Sequence, residues 1–277
     1  MNYRHAFHAG NFADLQKHAI LLALLSALTA EDAPLSVIDT HAGAGAYDLG
    51  GDMAQRSGEA AAGIGRLLVA DNVPAVFAPL VADVRALNGG GEGSLYPGSP
   101  LLIARHLRKT DRYSACELRP DDYDSLRRTL APYAFAQAVK DDGYATAVAR
   151  AGKGARSEGR TLVLIDPPFE RSDDYAQIVA TTKAVLARDR HAVIAAWMPL
   201  KDLETFDAFM RAIETVTKDA LAAELRLRPL TDPMKMNGCA MVIVGAPKST
   251  EAAITEATTW LADNLGDTGA KARIWRA

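Results

Sequence analysis

The sequence predicts an α/β fold on a doubly wound sheet, and three observations lead there. Short apolar runs alternate with helical stretches from residue 35 onward. The first five runs are apolar on both faces, as strands buried in a parallel sheet are. Acids stand at or just beyond the carboxyl ends of three runs, where such sheets place their ligands. Seven runs read as strands, and the last two, separated by LTDPMKMNG, suit an antiparallel hairpin at the sheet edge.

At 277 residues the chain approaches the size at which about three quarters of the unfolded surface becomes buried, so no staple is needed. Hydrophobic residues at 49% and charged residues at 23% exclude a disordered or collagen-like chain. Cys116 and Cys239 lie in apolar runs, which excludes a disulfide scaffold and a cysteine zinc site. The six histidines show no HExxH spacing, and no metal site is expected. A net charge of −3 gives no global attraction to nucleic acid, so any such binding needs a local basic face.

The first strong apolar run is AILLALLSALTA over 19–30, twelve residues against the roughly twenty of a spanning helix. The long segment before it, with Asp14, argues against a signal peptide. An amphipathic helix is expected, capped by Asn11 and packing its leucine side on a core, in a cytoplasmic protein without membrane contact. Strands are expected at 35–40 (LSVIDT), 113–118 (YSACEL), 136–139 (AQAV) and 161–166 (TLVLID). Three more follow at 191–197 (HAVIAAW), 223–229 (AELRLRP) and 239–245 (CAMVIVG). Helices fill 121–130, 173–187, 201–216 and 249–265.

Between Gly45 and Pro97 the rhythm breaks, and residues 52–96 read as a helical insertion after the first strand. Its helical stretches lie near 58–70 and 75–87, and NGGGEGS over 88–94 is its exit. PGSPLLIARHL then restarts the main fold, with Ser99 placed to cap a helix beginning at Pro100. One domain over 1–277 is expected, with an amino-terminal motif and helix over 1–30.

Four segments hold the candidate chemistry. Asp39-Thr40-His41-Ala42-Gly43-Ala44-Gly45 is a glycine turn after the first strand, where a backbone can approach a ligand closely. Its spacing does not fit GxGxxG, and a merely tight turn explains it equally well. Glu117 ends the next strand, where an acid accepts ribose hydroxyls; a surface acid is the bland alternative. Asp141-Asp142-Gly143 follows the third strand, and a carboxylate there can accept from an adenine amino group, although Asx-Gly turns are common.

The fourth segment is the most specific. In Asp166-Pro167-Pro168-Phe169 the prolines remove two backbone donors, leaving carbonyls unclaimed by a ladder. An acid, a carbonyl and an aromatic ring there suit an exocyclic amine and the base that carries it.

This tetrapeptide resembles the Asp-Pro-Pro-aromatic motif of amino methyltransferases that use S-adenosylmethionine, and the other segments fall in the order of that class. The opening Tyr3-Arg4-His5-Ala6-Phe7-His8-Ala9-Gly10-Asn11-Phe12-Ala13-Asp14 with Lys17-His18 is more specific. With the glycine turn, Tyr96-Pro97-Gly98-Ser99-Pro100 and Ile165-Asp166-Pro167-Pro168, it resembles the RlmJ family of 23S ribosomal RNA adenine-N6 methyltransferases across essentially the whole chain. The resemblance implies a Rossmann-like methyltransferase sheet. It implies S-adenosylmethionine as cofactor, held by His18, His41, Ser99, Glu117, Asp142, Gly143 and Asp166. It also implies catalysis by Asp166 and RNA contact by Tyr3. Pro167 and Phe169 are expected to serve catalysis beside Asp166, and Arg4, Lys17 and Phe169 to meet the substrate.

Phe169 stands where the family usually has tyrosine, and Phe12 where histidine is usual. The implied partner is 23S ribosomal RNA, free or partly assembled, met by a monomer. A DNA adenine-N6 or cytosine-N4 methyltransferase shares the tetrapeptide and is the alternative. Basic residues over 105–112 and 150–160 offer a local positive face, or simply a solvated one.

Overall fold

The computed structural model describes residues 5–90, 94–152, 159–230 and 236–277. Tyr3, Arg4 and residues 153–158 of the second basic stretch lie outside the described residues. The strands are β1 (Leu35–Asp39), β2 (Ala46–Asp48), β3 (Leu95–Pro97), β4 (Arg112–Cys116), β5 (Ala136–Val139), β6 (Arg160–Ile165), β7 (Val193–Pro199), β8 (Ala220–Arg226), β9 (Gly238–Val244) and β10 (Lys271–Arg276). The helices are α1 (Phe12–Thr29), α2 (Asp52–Ser57), α3 (Arg66–Val69), α4 (Ala78–Leu87) and α5 (Ser99–His106). They continue with α6 (Pro120–Leu130), α7 (Gly143–Arg150), α8 (Asp174–Arg188), α9 (Leu203–Glu214) and α10 (Glu251–Leu265).

The main sheet runs β10-β8-β9-β7-β6-β1-β4-β5. The five expected parallel strands pair in parallel, as β5 on β4, β4 on β1, β1 on β6 and β6 on β7. Eight strands replace the expected seven. The eighth, β10, pairs antiparallel with β8 and takes the sheet edge, so the β8–β9 hairpin lies inside the sheet. Its sequence KARIWR carries basic residues at both ends and its middle, which hid it among the loops. Strand β8 also begins three residues earlier than expected, at Ala220 rather than Ala223.

Because β1 lies between β4 and β6, the chain turns to opposite halves of the sheet on either side of it. A crevice opens where strand order reverses in this way, over the carboxyl ends of β1 and β6. Asp39 ends β1, and Asp166 follows the last residue of β6.

Helix α1 departs from the amphipathic expectation because it is buried on nearly every side. Leu21, Leu24 and Leu25 share a core with Val37 and Leu164 of the sheet. Leu15, Ala19 and Leu22 share another with Ile64, Phe77 and Leu80 of the insertion. By length and composition α1 could cross a membrane, yet 72% of it is buried inside this fold. A helix apolar all round is a core helix when neighbours cover both sides. Asn11 caps it, accepting from the N–H groups of Ala13 and Asp14 at 2.9 and 3.0 Å.

The insertion leaves and rejoins the sheet at one place because β2 and β3 pair antiparallel, Ala46 opposite Pro97. Gly63 seats it on the amino-terminal segment: a Cβ there would come within 2.1 Å of the Gly10 carbonyl oxygen. Helix α5 is capped by Gly98 rather than by Ser99, which occupies its first turn. The Ser99 hydroxyl instead donates to Asp39 Oδ2 at 2.9 Å.

Candidate active site

A cavity of about 300 Å³ opens at the crevice. That size suits a small-molecule or cofactor site. Of the residues expected at the site, Lys17, His41, Ser99, Glu117, Asp142, Gly143 and Asp166 line it. Pro168 supplies wall where Pro167 and Phe169 do not, and His18 lies behind Lys17.

Glu117 turns back onto the glycine turn, Oε2 accepting the Gly43 N–H at 3.0 Å and Oε1 the Arg119 N–H at 2.7 Å. Burial pushes its carboxyl above the ordinary range. Gly43 and Gly45 adopt φ of +68° and +89°, left-handed values that glycine takes without strain. Asp142 caps α7, accepting the Ala145 N–H at 2.8 Å through Oδ1. Gly143 has a structural reason beyond ligand access: a Cβ would sit 1.9 Å from the Thr40 carbonyl oxygen. Gly143→Ala should therefore force α7 away from β1 and lower thermal stability by roughly 1–3 kcal/mol, the cost of overpacking. An unchanged melting temperature would contradict that close approach.

His41 bonds through Nδ1 to the Thr40 hydroxyl at 2.7 Å and meets the Tyr144 ring edge-on. Burial lowers its pKa, so it is neutral at physiological pH. Asp39, beneath Ser99, is raised to about 7, chiefly by burial and against the Ser99 hydrogen bond. The Ser99 hydroxyl thus links the cavity to a buried carboxyl poised near neutrality.

The amino-terminal helix brings a second set of charges to the same wall. Lys17 Nζ lies 2.6 Å from Asp166 Oδ2 and 2.9 Å from Asp14 Oδ1. Asp14 Oδ2 bonds to His5 Nε2 at 3.1 Å and accepts the Gly10 N–H at 2.9 Å. His18 is fully buried and does not line the cavity, with Nδ1 2.8 Å from the Tyr96 hydroxyl. Desolvation drives its pKa down to about 3, so the ring is neutral.

Phe169 does not line the cavity. Its φ of +51° is the one positive value at a non-glycine residue among the described residues. That conformation turns the ring toward Tyr175 and Trp197, with centroids 5.0 and 5.8 Å away. Backbone strain of this kind persists where surrounding structure imposes it and clusters at functional sites.

The family model described as ribosomal RNA large subunit methyltransferase D, RlmJ, matches residues 32–277. The chain belongs to this family. RlmJ relatives named ribosomal RNA large subunit methyltransferase J support the membership in two organisms. The Escherichia coli protein is 33% identical over 97% of this chain and 95% of its own length. That of Haemophilus influenzae is 34% identical over 96% and 94%. A Legionella pneumophila protein of known crystal structure superposes with a TM-score of 0.89 at 29% identity, covering 98% of each chain.

Within this RlmJ fold, several cavity residues escaped the sequence reading. Tyr144 reaches Asp174 at 3.5 Å, and Asp174, itself buried, accepts the Arg171 N–H. No local pattern marks the Tyr144–Asp174 contact, because it joins helices α7 and α8 across thirty residues of sequence. Asp14 could have been found: Asp14, Lys17 and His18 are spaced i, i+3, i+4 and share one helix face. Two arginines of the first basic stretch, Arg105 and Arg108, serve the fold. Arg105 holds Asp83, and Arg108 holds Asp111 with the Thr29, Glu31 and Ala33 carbonyls.

Proposed function

We propose that the chain transfers the methyl group of S-adenosylmethionine to the exocyclic N6 of an adenine in 23S ribosomal RNA. The observation that carries this reading is that Asp166 and Pro168, at the switch point of the sheet, open on the same cavity as Glu117 and Asp142. Glu117 offers an acceptor for ribose hydroxyls, and Asp142 with Gly143 forms the adenine end. This donor set fits a nucleoside bearing hydroxyls and an amine. Ser99 and Lys17 line the same cavity.

S-adenosylmethionine supplies an electrophilic methyl group when bound. The protein's task lies on the other reactant, because the lone pair of an adenine N6 is delocalised into the ring. Asp166 Oδ2 is engaged by Lys17, while Oδ1 makes no hydrogen bond among the described residues and is open to the amine. An N–H donated to Asp166 and another to the Pro167 carbonyl favour a pyramidal nitrogen. Positioning for in-line attack supplies much of the acceleration. Asp166 offsets the positive charge that develops on N6, a preorganised electrostatic effect. The methylated ammonium is acidic, so its proton passes readily to the carboxylate or to water.

The base leaves its stack to reach the cavity, and Phe169, Tyr175 and Trp197 form an aromatic group beside Asp166. Tyr3 and Arg4 extend the RNA contact from the amino terminus. The whole chain acts as one methyltransferase domain, with 1–30 and 52–96 as its additions, in the cytoplasm on free or partly assembled RNA and as a monomer. Transfer of labelled methyl to protein-free 23S RNA tests this reading against duplex DNA. N6-methyladenosine in the RNA is the expected product; label in DNA alone would overturn it. Glu117→Ala should weaken binding of S-adenosylhomocysteine by about 1.5–3 kcal/mol, the scale of hydrogen bonds to a charged acceptor. Unchanged affinity by calorimetry would place the ribose elsewhere.

A further inference from the structure

We infer that Asp14 is a positioning residue for methyl transfer, holding the Lys17 ammonium against Asp166 and tying that contact to the amino-terminal segment. The inference rests on the reading of Asp166 as the catalytic acid. Three donors converge on the buried Asp14 carboxylate: Lys17 Nζ at 2.9 Å on Oδ1, with His5 Nε2 at 3.1 Å and the Gly10 N–H at 2.9 Å on Oδ2. Lys17 is 4% exposed and spans two carboxylates, one on its own helix and one at the end of β6. A buried ammonium is costly unless paired, and a single carboxylate shared with substrate would leave it underpaired during the reaction. Asp14 supplies the second counter-charge from the preceding turn of the same helix.

The remaining groups around Lys17 do not replace that charge. His18 on its own helix is neutral through burial. Tyr96 from β3 and Cys239 from β9 have their pKa values pushed up by burial, and both are neutral. Asp39 at the end of β1, with a pKa of about 7, is ionised on the alkaline side, but its carboxylate is hydrogen-bonded to Ser99 and Tyr113 and forms no ion pair with Lys17 among the described residues. His5 approaches from the opening turn and is bonded to Asp14. Asp14 and Asp166 together hold the Lys17 pKa well above that of a free lysine, against desolvation.

The sign of the pH effect follows. In the native enzyme Lys17 stays charged throughout the usual assay range. In Asp14→Asn one carboxylate is lost while burial remains, so the lysine pKa falls and the ammonium discharges as pH rises. An alkaline limb should then enter the kcat profile below pH about 10, near the ordinary lysine value. At neutral pH kcat should fall by roughly ten- to a hundredfold, the scale of a small misplacement. Affinity for S-adenosylhomocysteine should stay within about twofold, since Asp14 does not line the cavity.

The experiment measures kcat and KM for 23S RNA from pH 6 to 10 in wild type, Asp14→Asn and Asp14→Glu, with Asp166→Ala alongside. The alkaline limb in Asp14→Asn, with substantial rescue by Asp14→Glu, is the expected result. A uniform loss at every pH, or an unchanged profile, would overturn the inference and assign Asp14 a structural role alone. If Asp14→Asn does not fold, Asp14→Glu carries the test: its longer side chain should shift the limb partway, and a wild-type profile would overturn the inference. Activity in Asp166→Ala would instead remove the catalytic reading beneath it, whatever Asp14 does.

Discussion

Asp166→Ala should abolish methyl transfer while leaving a folded enzyme that still binds S-adenosylhomocysteine. The Asp166 carboxylate is the one acid at the switch point that pairs with Lys17 across the cavity wall. It faces the position where positive charge develops on the attacking nitrogen. Losing one preorganised group of this kind costs about a hundred- to a thousandfold in kcat. The fold should tolerate the change because Lys17 keeps Asp14 at 2.9 Å as a counter-charge and is not left unpaired in the interior. Asp166→Asn should retain part of the hydrogen bonding but not the charge, and fall between the two. The measurements are single-turnover methyl transfer, a thermal melt and calorimetry with the cofactor product. Turnover within tenfold of wild type in a folded Asp166→Ala protein would remove the mechanism.

What the sequence made legible follows the physics of each element. Buried parallel strands announce themselves as continuous apolar runs, so β1, β4, β5, β6 and β7 were placed to within two or three residues. Strand β10 was not found because an edge strand need not be apolar: Lys271, Arg273 and Arg276 keep it soluble where the sheet ends. Acids at strand ends were legible for the same reason as the strands, and Glu117, Asp142 and Asp166 all reach one cavity. The surroundings of His18 and Phe169 were not, for different reasons. His18 turns toward Tyr96, a residue 78 positions away that only the insertion brings into reach. Phe169 takes a backbone torsion that residue type does not reveal. The charges of α1 were visible in sequence, but their convergence on Asp166 depends on a helix lying in the core rather than on the surface.

Removing residues 1–4 should depress RNA methylation strongly and leave cofactor affinity nearly intact. The deletion takes Tyr3 and Arg4 but spares His5, whose ring bonds to Asp14, and Asn11, whose side chain caps α1. The insertion contact of the segment also survives, because His8 and Asn11 both bond to Glu59 beyond the deletion point. The cavity residues Glu117, Asp142 and Asp166 lie elsewhere in the chain and keep their supports. What is lost is an aromatic ring and a guanidinium two and one residues before His5, which lines the cavity. Stacking of one base is worth about 1–3 kcal/mol, and a phosphate contact adds positioning without sequence preference. Together they predict a loss of roughly ten- to a hundredfold in kcat/KM for RNA. Salt separates the two contributions: Arg4→Ala alone should flatten the salt dependence of RNA binding, whereas Tyr3→Ala alone should not. Full activity in the truncated protein would show that the opening residues serve only to hold the segment in place, and RNA recognition would then have to come from surfaces nearer the insertion.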